Sequence, residues 1–475
     1  MSLKQQATNS VFWSSIERFS VQGIQYVLSI LIARQLLPSD YGMIAMLGIF
    51  MAVAQTFVDS GFGNALIQKK HRTETDYSTV FYFNIAVAIV LYAILYFCSP
   101  FIASFFGEPK LDMVTKVIGL TLIINSIGIV QQTKLTVALD FKRQAYASLV
   151  AVMLSGAVGI WMAYNGYGVW TLVWQALLNN VLRVALLWCF TIWKPIAVFS
   201  IESFRGLFAF GSKLLASQLL HTIYTNLYTL VIGKQFAATE LGFFNRASTL
   251  AQFPSSNFTN VIVRAVYPIQ CKIQDDTAQL NRTFLVYLRM ACYVIFPIMI
   301  ALCVMAEPLI ELLLTDKWLP AVPFFQILCL AYMWDPVMKI NHNMLNVKGR
   351  SDYFLRAEII KKAVAVLILV ATIPFGITVM CLGLIAYSFA DMLIIIHFTH
   401  RLTQITLAQQ TKALGPVILL SATMGLVIWL TMLLGTTALW QLILGSIAAL
   451  IYYFGGSYML KFNELKQILS IMRNR

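Results

Sequence analysis

Residues 78–98 read STVFYFNIAVAIVLYAILYFC, a run of 21 residues without a charged side chain. About 20 mostly apolar residues are enough for an α-helix to cross the hydrocarbon layer of a membrane. Similar runs recur along the chain, separated by turn signals such as Leu37-Pro38-Ser39-Asp40. The predicted spans are 11–33, 42–66, 78–98, 112–136, 145–164, 168–192, 209–232, 243–268, 284–305, 320–345, 355–374, 378–399, 413–434 and 439–460.

The composition of the whole chain agrees with this class. Of 475 residues, 59% are hydrophobic and 11% are charged, whereas a typical soluble domain has about 25% charged residues. So few charges exclude a soluble enzyme, a disordered chain and a nucleic-acid-binding protein, although the net charge is +14. The seven cysteines form no CxxC motif or Cys/His cluster, so we expect neither a metal site nor a disulfide framework. We also expect no cofactor. The predicted fold class is an all-α polytopic transmembrane protein of about fourteen helices.

The lysines and arginines predict the orientation, because they concentrate on the cytoplasmic side of a membrane. With the N-terminus inside, the inner segments carry 21 of the 34 basic residues, Lys361 among them. The outer segments carry five, which are Arg34, Lys110, Lys116, Lys234 and Lys317. This asymmetry supports an even number of spans with both termini in the cytoplasm.

Two loop motifs recur in the second half of the chain. Residues 34–42 (RQLLPSDYG) align with residues 234–242 (KQFAATELG), and residues 100–108 align with residues 308–316. Each pair joins positions six spans apart, so both copies have the same orientation. Parallel repeats of this kind are typical of transporters. The alternative is that short polar loops resemble one another by chance.

The repeat predicts a division into four segments. Residues 1–195 would form an N-lobe of spans 1–6, and residues 209–400 a C-lobe of spans 7–12. Between them, residues 196–208 would be a linker on the membrane surface, because its apolar residues recur at helical spacing. Residues 401–475 would hold spans 13 and 14 and a cytoplasmic amphipathic tail.

The same motifs carry a family resemblance. The run 34–42, followed by DSGFGNALIQ at 59–68, resembles the opening signature of bacterial polysaccharide-unit flippases, as does PLIELLLTDKW at 308–318. The opening WSSIERF at 13–19 is similar to the branch that exports capsule, colanic-acid-like or O-antigen units. These proteins belong to the multidrug/oligosaccharidyl-lipid/polysaccharide exporter superfamily. The resemblance covers roughly residues 1–350 well, and the remainder by hydropathy only.

The resemblance implies a V-shaped transporter in the bacterial cytoplasmic (inner) membrane, with two parallel six-helix lobes plus two extra C-terminal helices. It also implies a substrate in which an oligosaccharide is linked through diphosphate to a polyprenyl lipid. Such a unit would be moved from the cytoplasmic to the outer leaflet for surface polysaccharide assembly. The other expected partners are membrane lipids and a coupling cation, H⁺ or Na⁺. We expect no nucleic acid, no enzymatic activity and a monomer.

Polar side chains within the spans predict the substrate site. An ionisable group inside a membrane is costly and usually faces a bundle interior or an aqueous cavity. Polar faces on spans 1, 6, 7, 8 and 10 therefore predict a cationic cavity between the lobes, which suits a diphosphate because arginine and lysine bind phosphate oxygens. The predicted cavity residues are Arg18, Gln22, Gln25, Gln175, Asn179, Arg183, Lys213, His221, Asn226, Arg246, Gln252, Arg264 and Lys339.

Alternatives stay open for several of these residues. Lys213, Arg246 and Arg264 lie near span ends, where a basic side chain can snorkel to the interface. Lys339 and Asp335 are four residues apart and can neutralise each other.

Three acids within or near spans are candidates for ion coupling. They are Glu17, Asp59 and Asp391. Asp59 could instead brace the glycine-rich end of span 2, and Asp391 could be a structural hydrogen-bonding group.

Two other functions compete with the flippase. A drug/cation antiporter of the same superfamily should have an acidic cavity, whereas the charges in these spans are mostly basic. An integral-membrane glycosyltransferase or polymerase needs a sizeable outer loop. The longest predicted outer loop, about 306–319, has only Glu307, Glu311 and Asp316 as acids, and the chain has no GxxxxGK[ST] loop.

Overall fold

A computed structural model describes residues 13, 20–59, 61–69, 71–435 and 437–466. Helices are the only regular secondary structure in these ranges, which confirms the all-α prediction. Two short 3-10 helices, Asp316–Ala321 and Ile373–Phe375, accompany the α-helices. The α-helices are α1 (Ser20–Ala33), α2 (Pro38–Asp59), α3 (Phe62–Gln68), α4 (Glu74–Phe106), α5 (Lys110–Val137), α6 (Phe141–Tyr164), α7 (Val169–Phe190), α8 (Ile201–Gln235), α9 (Ala238–Lys272), α10 (Thr277–Val304), α11 (Ala306–Leu314), α12 (Val322–Tyr332), α13 (Asp335–Val347), α14 (Ser351–Thr372), α15 (Ile377–Thr403), α16 (Leu407–Met432) and α17 (Ala438–Met459).

Within the described ranges, ten helical stretches are long and apolar enough to cross a membrane. They coincide with predicted spans 2–6, 9, 10 and 12–14, so the chain is a multi-pass membrane protein. The described part of span 1 is the short helix α1. Helices α8, α9 and α14 lie at predicted spans 7, 8 and 11, but they carry more polar residues. The total of fourteen spans therefore stays a prediction.

The chain forms two compact units, one ending at Gly242 and the other beginning at Phe243. In the first unit, α4 packs against α5, α6 against α7, and α2 against α8. An aromatic core at one end joins Phe62, Tyr77, Phe81 and Trp193, which are buried together. Helix α4 begins here, with a reciprocal capping box between Thr73 and Asp76.

The segment between α7 and α8 is bound to the start of α4. The backbone N–H of Ile196 donates to Ser78 Oγ at 3.0 Å, and that of Ser200 donates to Thr79 Oγ1 at 3.1 Å. Residues 201–208 are the first two turns of α8 rather than a separate helix. Because α8 packs on α2, the compact first unit extends beyond the predicted N-lobe. The four-segment division and the surface position of residues 196–208 stay predictions.

The second unit is built around α10, which packs against α12 and α16, while α16 packs against α17. Its core includes the fully buried side chains of Phe284, Phe296 and Trp318. Helix α15 packs against α12, α13 and α14.

The repeated loop motifs contact each other reciprocally within the first unit. A Cβ added to Gly42 would overlap the backbone carbonyl of Ala238, and a Cβ added to Gly242 would overlap that of Pro38. Gly42 and Gly242 are equivalent at the offset of 200 residues, and so are Pro38 and Ala238. The first turns of α2 and α9 therefore pack against each other, and each glycine allows the close approach because it has no side chain. This symmetry supports the internal repeat.

Candidate functional site

A polar cavity of about 610 Å³ lies among the helices of the first unit. Helices α2, α3, α5 and α8 supply its walls. Amide and hydroxyl groups dominate the lining, and Asp59 is the one acid among the lining residues that the structure describes. The polar lining residues are Thr56, Asp59, Asn64, Gln132, Thr133, Thr136, Ser217 and Gln218.

A break between α2 and α3 places polar groups at this cavity. Helix α2 ends at Asp59, and α3 begins at Phe62. Between them, Gly61 has a φ of 70°, a left-handed conformation that glycine adopts without strain. Helix ends leave backbone groups without intrahelical partners, so the break adds to the polarity that Asp59 and Asn64 give this wall.

A network of side-chain hydrogen bonds links the cavity to helices α2, α5 and α7. Arg183 Nη2 donates to Gln132 Oε1 at 2.6 Å. Gln55 Nε2 donates to Asp59 Oδ1 at 2.9 Å, and Asn125 Nδ2 donates to Gln55 Oε1 at 3.3 Å. The charges of Arg183 and Asp59 attract each other. The described lining thus combines one carboxylate with many neutral hydrogen-bonding groups, and the guanidinium of Arg183 is hydrogen-bonded to the lining residue Gln132.

Of the predicted face on α7, Arg183 reaches this network and the other two residues contact α6. Asn179 Nδ2 donates to Ser155 Oγ at 3.1 Å. Gln175 packs over Gly159. These two residues hold α6 and α7 together.

Of the predicted residues on spans 1 and 7, those that the structure describes do not line this cavity. Gln22 is half-buried and Gln25 is exposed on α1, while Arg18 and Glu17 lie outside the described residues. The side chain of Lys213 is likewise outside the description. On α8, His221 is exposed, and Asn226 Nδ2 donates to Thr222 O of the same helix at 2.8 Å.

The predicted cavity residues of the second unit do not form one cluster among the residues that the structure describes. Arg246 is buried, whereas Gln252 and Arg264 are exposed. Lys339 Nζ lies 3.2 Å from Asp335 Oδ2, so the i,i+4 pair is formed. The same ammonium donates to Ser256 Oγ at 3.4 Å.

Asp391 belongs to a buried charge cluster in the second unit. Lys361 Nζ lies 3.1 Å from Asp391 Oδ1 and 2.9 Å from Glu358 Oε1. His342 Nε2 lies 3.5 Å from the same Glu358 oxygen. Lys361 and Asp391 are 9% and 6% exposed. Lys361 was predicted among the cytoplasmic charges. It falls inside predicted span 11, where its ammonium is an internal partner for Asp391.

Sequence reasoning also missed Gln132, Asn64 and Gln218. Their signal was polarity within predicted spans, which is weaker than charge because amides and hydroxyls can bond to their own helix. Only the packing of α5 and α8 beside α2 brings them to one cavity.

The helices and this cavity define a polytopic α-helical membrane protein. The sequence profile of a family described as polysaccharide biosynthesis protein matches residues 31–323, more than half of the chain. The chain therefore belongs to that family, which confirms the resemblance drawn from residues 34–42 and 308–318.

Named relatives agree with the family. The chain is 27% identical over 358 residues to the teichuronic acid biosynthesis protein TuaB of Bacillus subtilis, covering 74% of this chain and 73% of TuaB. It is 25% identical over 363 residues to the lipopolysaccharide biosynthesis protein WzxC of Escherichia coli, covering 76% and 74%.

Solved structures share the fold. The lipid II flippase MurJ in an inward closed conformation matches with a TM-score of 0.75 and 15% identity, covering 95% of this chain and 99% of MurJ. An inward-facing multidrug resistance MATE transporter matches with a TM-score of 0.60 and 15% identity, covering 83% and 99%.

Proposed function

We propose that this protein is a flippase for polyprenyl-diphosphate-linked oligosaccharide repeat units. It moves them from the cytoplasmic to the outer leaflet by alternating access, for assembly of a surface polysaccharide. The observation that carries the proposal is the polar cavity among the helices of the first unit, with Arg183 bonded to its wall. Family membership and the names of TuaB and WzxC support the link to polysaccharide biosynthesis.

The cavity lining suits both parts of such a headgroup. Sugar hydroxyls donate and accept hydrogen bonds, as do the side chains of Gln132, Asn64 and Thr56. A guanidinium binds phosphate oxygens through paired hydrogen bonds, so Arg183 is the group for the diphosphate. The prenyl chain stays in lipid. This is vectorial movement without covalent chemistry, and both the family and the fold support a transporter over an enzyme.

The membrane potential would assist outward movement. Moving one charge across 100 mV is worth about 2.3 kcal/mol. A diphosphate with about two negative charges therefore gains roughly twice that from an inside-negative potential. We place the protein in the bacterial cytoplasmic membrane with both termini inside, because the basic residues favour the inner segments. We also propose that it acts as a monomer.

We propose Asp59 as the coupling acid ahead of Asp391. Asp59 lines the cavity, where the neutral amide of Gln55 donates a hydrogen bond to it, so a proton or sodium ion from the cavity has access to this carboxylate. Asp391 already has the Lys361 ammonium where a coupling cation would bind. Glu17 lies outside the described residues and stays a sequence-based candidate.

The antiporter is the second candidate, since Asp59 lines the cavity and a MATE transporter shares the fold. Arg183 weighs against it, because a cationic drug would be repelled by the guanidinium beside that acid.

The test of the function is translocation of a fluorescent lipid-linked oligosaccharide in vesicles containing the purified protein. We expect transfer between leaflets, and thermal stabilisation by prenyl diphosphates rather than by lipophilic cations. An Arg18→Ala/Arg183→Ala double variant should lose most of the transfer. Stabilisation by lipophilic cations alone, without transfer of the glycolipid, would establish the antiporter instead.

A further inference from the structure

We propose that two adjoining grooves at one end of the second unit hold the headgroup of an anionic phospholipid. The grooves run along α10, α16 and the residues that follow α17. Their volumes are about 740 and 450 Å³, and both are lined by Arg289 and Asn463. The proposal is independent of the flippase assignment.

The grooves carry an excess of positive charge. Arg282 and Lys466 line one groove, Lys461 lines the other, and Arg289 lines both. The one lining acid is Glu464, whose Oε1 lies 2.8 Å from Arg289 Nε. Among the described residues, no ion pair neutralises Arg282, Lys461 or Lys466. Residues 467–475 contain no acid in their sequence.

Arg289 is held in place before any ligand binds. Its ion pair with Glu464 fixes one side of the guanidinium, and the ring of Phe462 lies 5.1 Å from its central carbon. A guanidinium fixed in this way loses little conformational entropy when it binds a phosphate. With 29% of its side chain exposed, Arg289 still faces the grooves.

The apolar part of the lining explains why a lipid fits better than a soluble anion. Leu419 and Leu460 line the larger groove and are 67% and 59% exposed, and Leu285 lines the smaller one. A phospholipid places acyl chains directly beside its phosphate, so it matches basic and apolar groups side by side. Basic pockets between membrane helices on the cytoplasmic side bind anionic headgroups in this manner.

The backbone at Lys461 supports a role for its side chain. Helix α17 ends with Lys461 N–H donating to Tyr458 O and Phe462 N–H donating to Ser457 O, at 3.1 and 2.9 Å. Lys461 has a φ of 54° at the position of this motif that glycine usually occupies. A lysine there costs conformational energy that glycine would not. The ammonium at this position lines the larger groove, where it can bind a phosphate.

The test is titration of the purified full chain with cardiolipin, phosphatidylglycerol and phosphatidylcholine, followed by native mass spectrometry. We expect cardiolipin to bind most tightly and phosphatidylcholine most weakly. Each basic residue near a lipid surface contributes about a fivefold change in affinity. The Arg282→Gln/Lys461→Gly variant should therefore bind cardiolipin about 30-fold more weakly, while the glycine keeps the helix end intact.

The matched control is Arg143→Gln/Arg350→Gln. This pair removes two exposed arginines that line neither groove and that already pair with acids, Asp140 and Asp352. We expect a change of less than about threefold in the control. Without lipid, the melting temperature of Arg282→Gln/Lys461→Gly should not fall, because glycine relieves the strained φ at position 461. An equal loss in both double variants, no loss in either, or tighter binding of a prenyl diphosphate than of cardiolipin would each overturn the proposal.

Discussion

Arg183 is where the predicted face of α7 meets the polar cavity of the first unit. Its guanidinium donates to Gln132, while Asn179 on the same helix bonds to α6. Periodicity placed these side chains on one face, but it could not distinguish a residue that lines a cavity from one that holds two helices together. That difference depends on which helix packs against each turn of α7. The sequence of α7 alone does not show which helix that is.

Asp391 is a second residue whose partner the sequence could not predict. Its position in a predicted span marked it as costly and in need of a partner. The partner, Lys361, lies 30 positions earlier on α14, and only the packing of α14 against α15 brings the two together. The charge was predictable from the sequence, but the pairing was not.

We predict that Asp391→Asn destabilises the protein by about 1–3 kcal/mol, because the buried Lys361 ammonium loses one of its two carboxylate partners and keeps Glu358. Thermal melting of the purified chain measures the loss. The control is Asp352→Asn, which removes the partner of Arg350 in an exposed pair and should cost about 0–1 kcal/mol. If the two variants melt together, the Lys361–Asp391 pair does not stabilise the fold.

At the scale of elements, hydropathy located the helices well because most of them are uniformly apolar. It predicted one span at 42–66, where the structure has α2 and α3 separated by Gly61, and one at 320–345, where α12 and α13 are separate. Hydropathy averages over such breaks. Residues 201–208, the second part of the predicted linker, are the first two turns of α8, where Leu207 is buried in the aromatic core and Phe204 packs against it.

Gly42 provides a test of the repeat at this scale. Gly42→Ala should destabilise the fold by about 1–3 kcal/mol, because the new methyl group would overlap the carbonyl of Ala238. The matched control on the same helix is Gly48→Ala, where a Cβ meets nothing within 4 Å. That change should stabilise α2 by up to about 1 kcal/mol. Equal melting temperatures for both variants would remove the packing argument for the repeat.

For the whole molecule, composition alone decided the class, because so few charges leave a water-soluble fold without a solvated surface. Charge asymmetry then predicts the topology. The location of the cavity could not be predicted, since it requires the relative placement of four helices from distant parts of the chain.

The topology is itself testable. We expect single cysteines introduced at Lys110 and Lys317 to react with a membrane-impermeant maleimide in intact cells, because both residues lie in predicted outer loops. A cysteine introduced at Lys412, in a predicted inner segment, should react only after the cells are opened. The opposite labelling pattern would invert the orientation and the direction of transport.

The proposed function depends on the polar cavity of the first unit, and substitution of Arg183 tests it most directly. The measurement is the translocation rate of a lipid-linked oligosaccharide in vesicles with the wild type, Arg183→Ala, Arg183→Lys and Arg143→Ala. Arg143 is the control because it pairs with Asp140 at the start of α6, outside the cavity. We predict at least about a tenfold loss for Arg183→Ala, corresponding to one charged hydrogen bond, a partial loss for Arg183→Lys and none for Arg143→Ala. A wild-type rate in a folded Arg183→Ala protein would contradict the account.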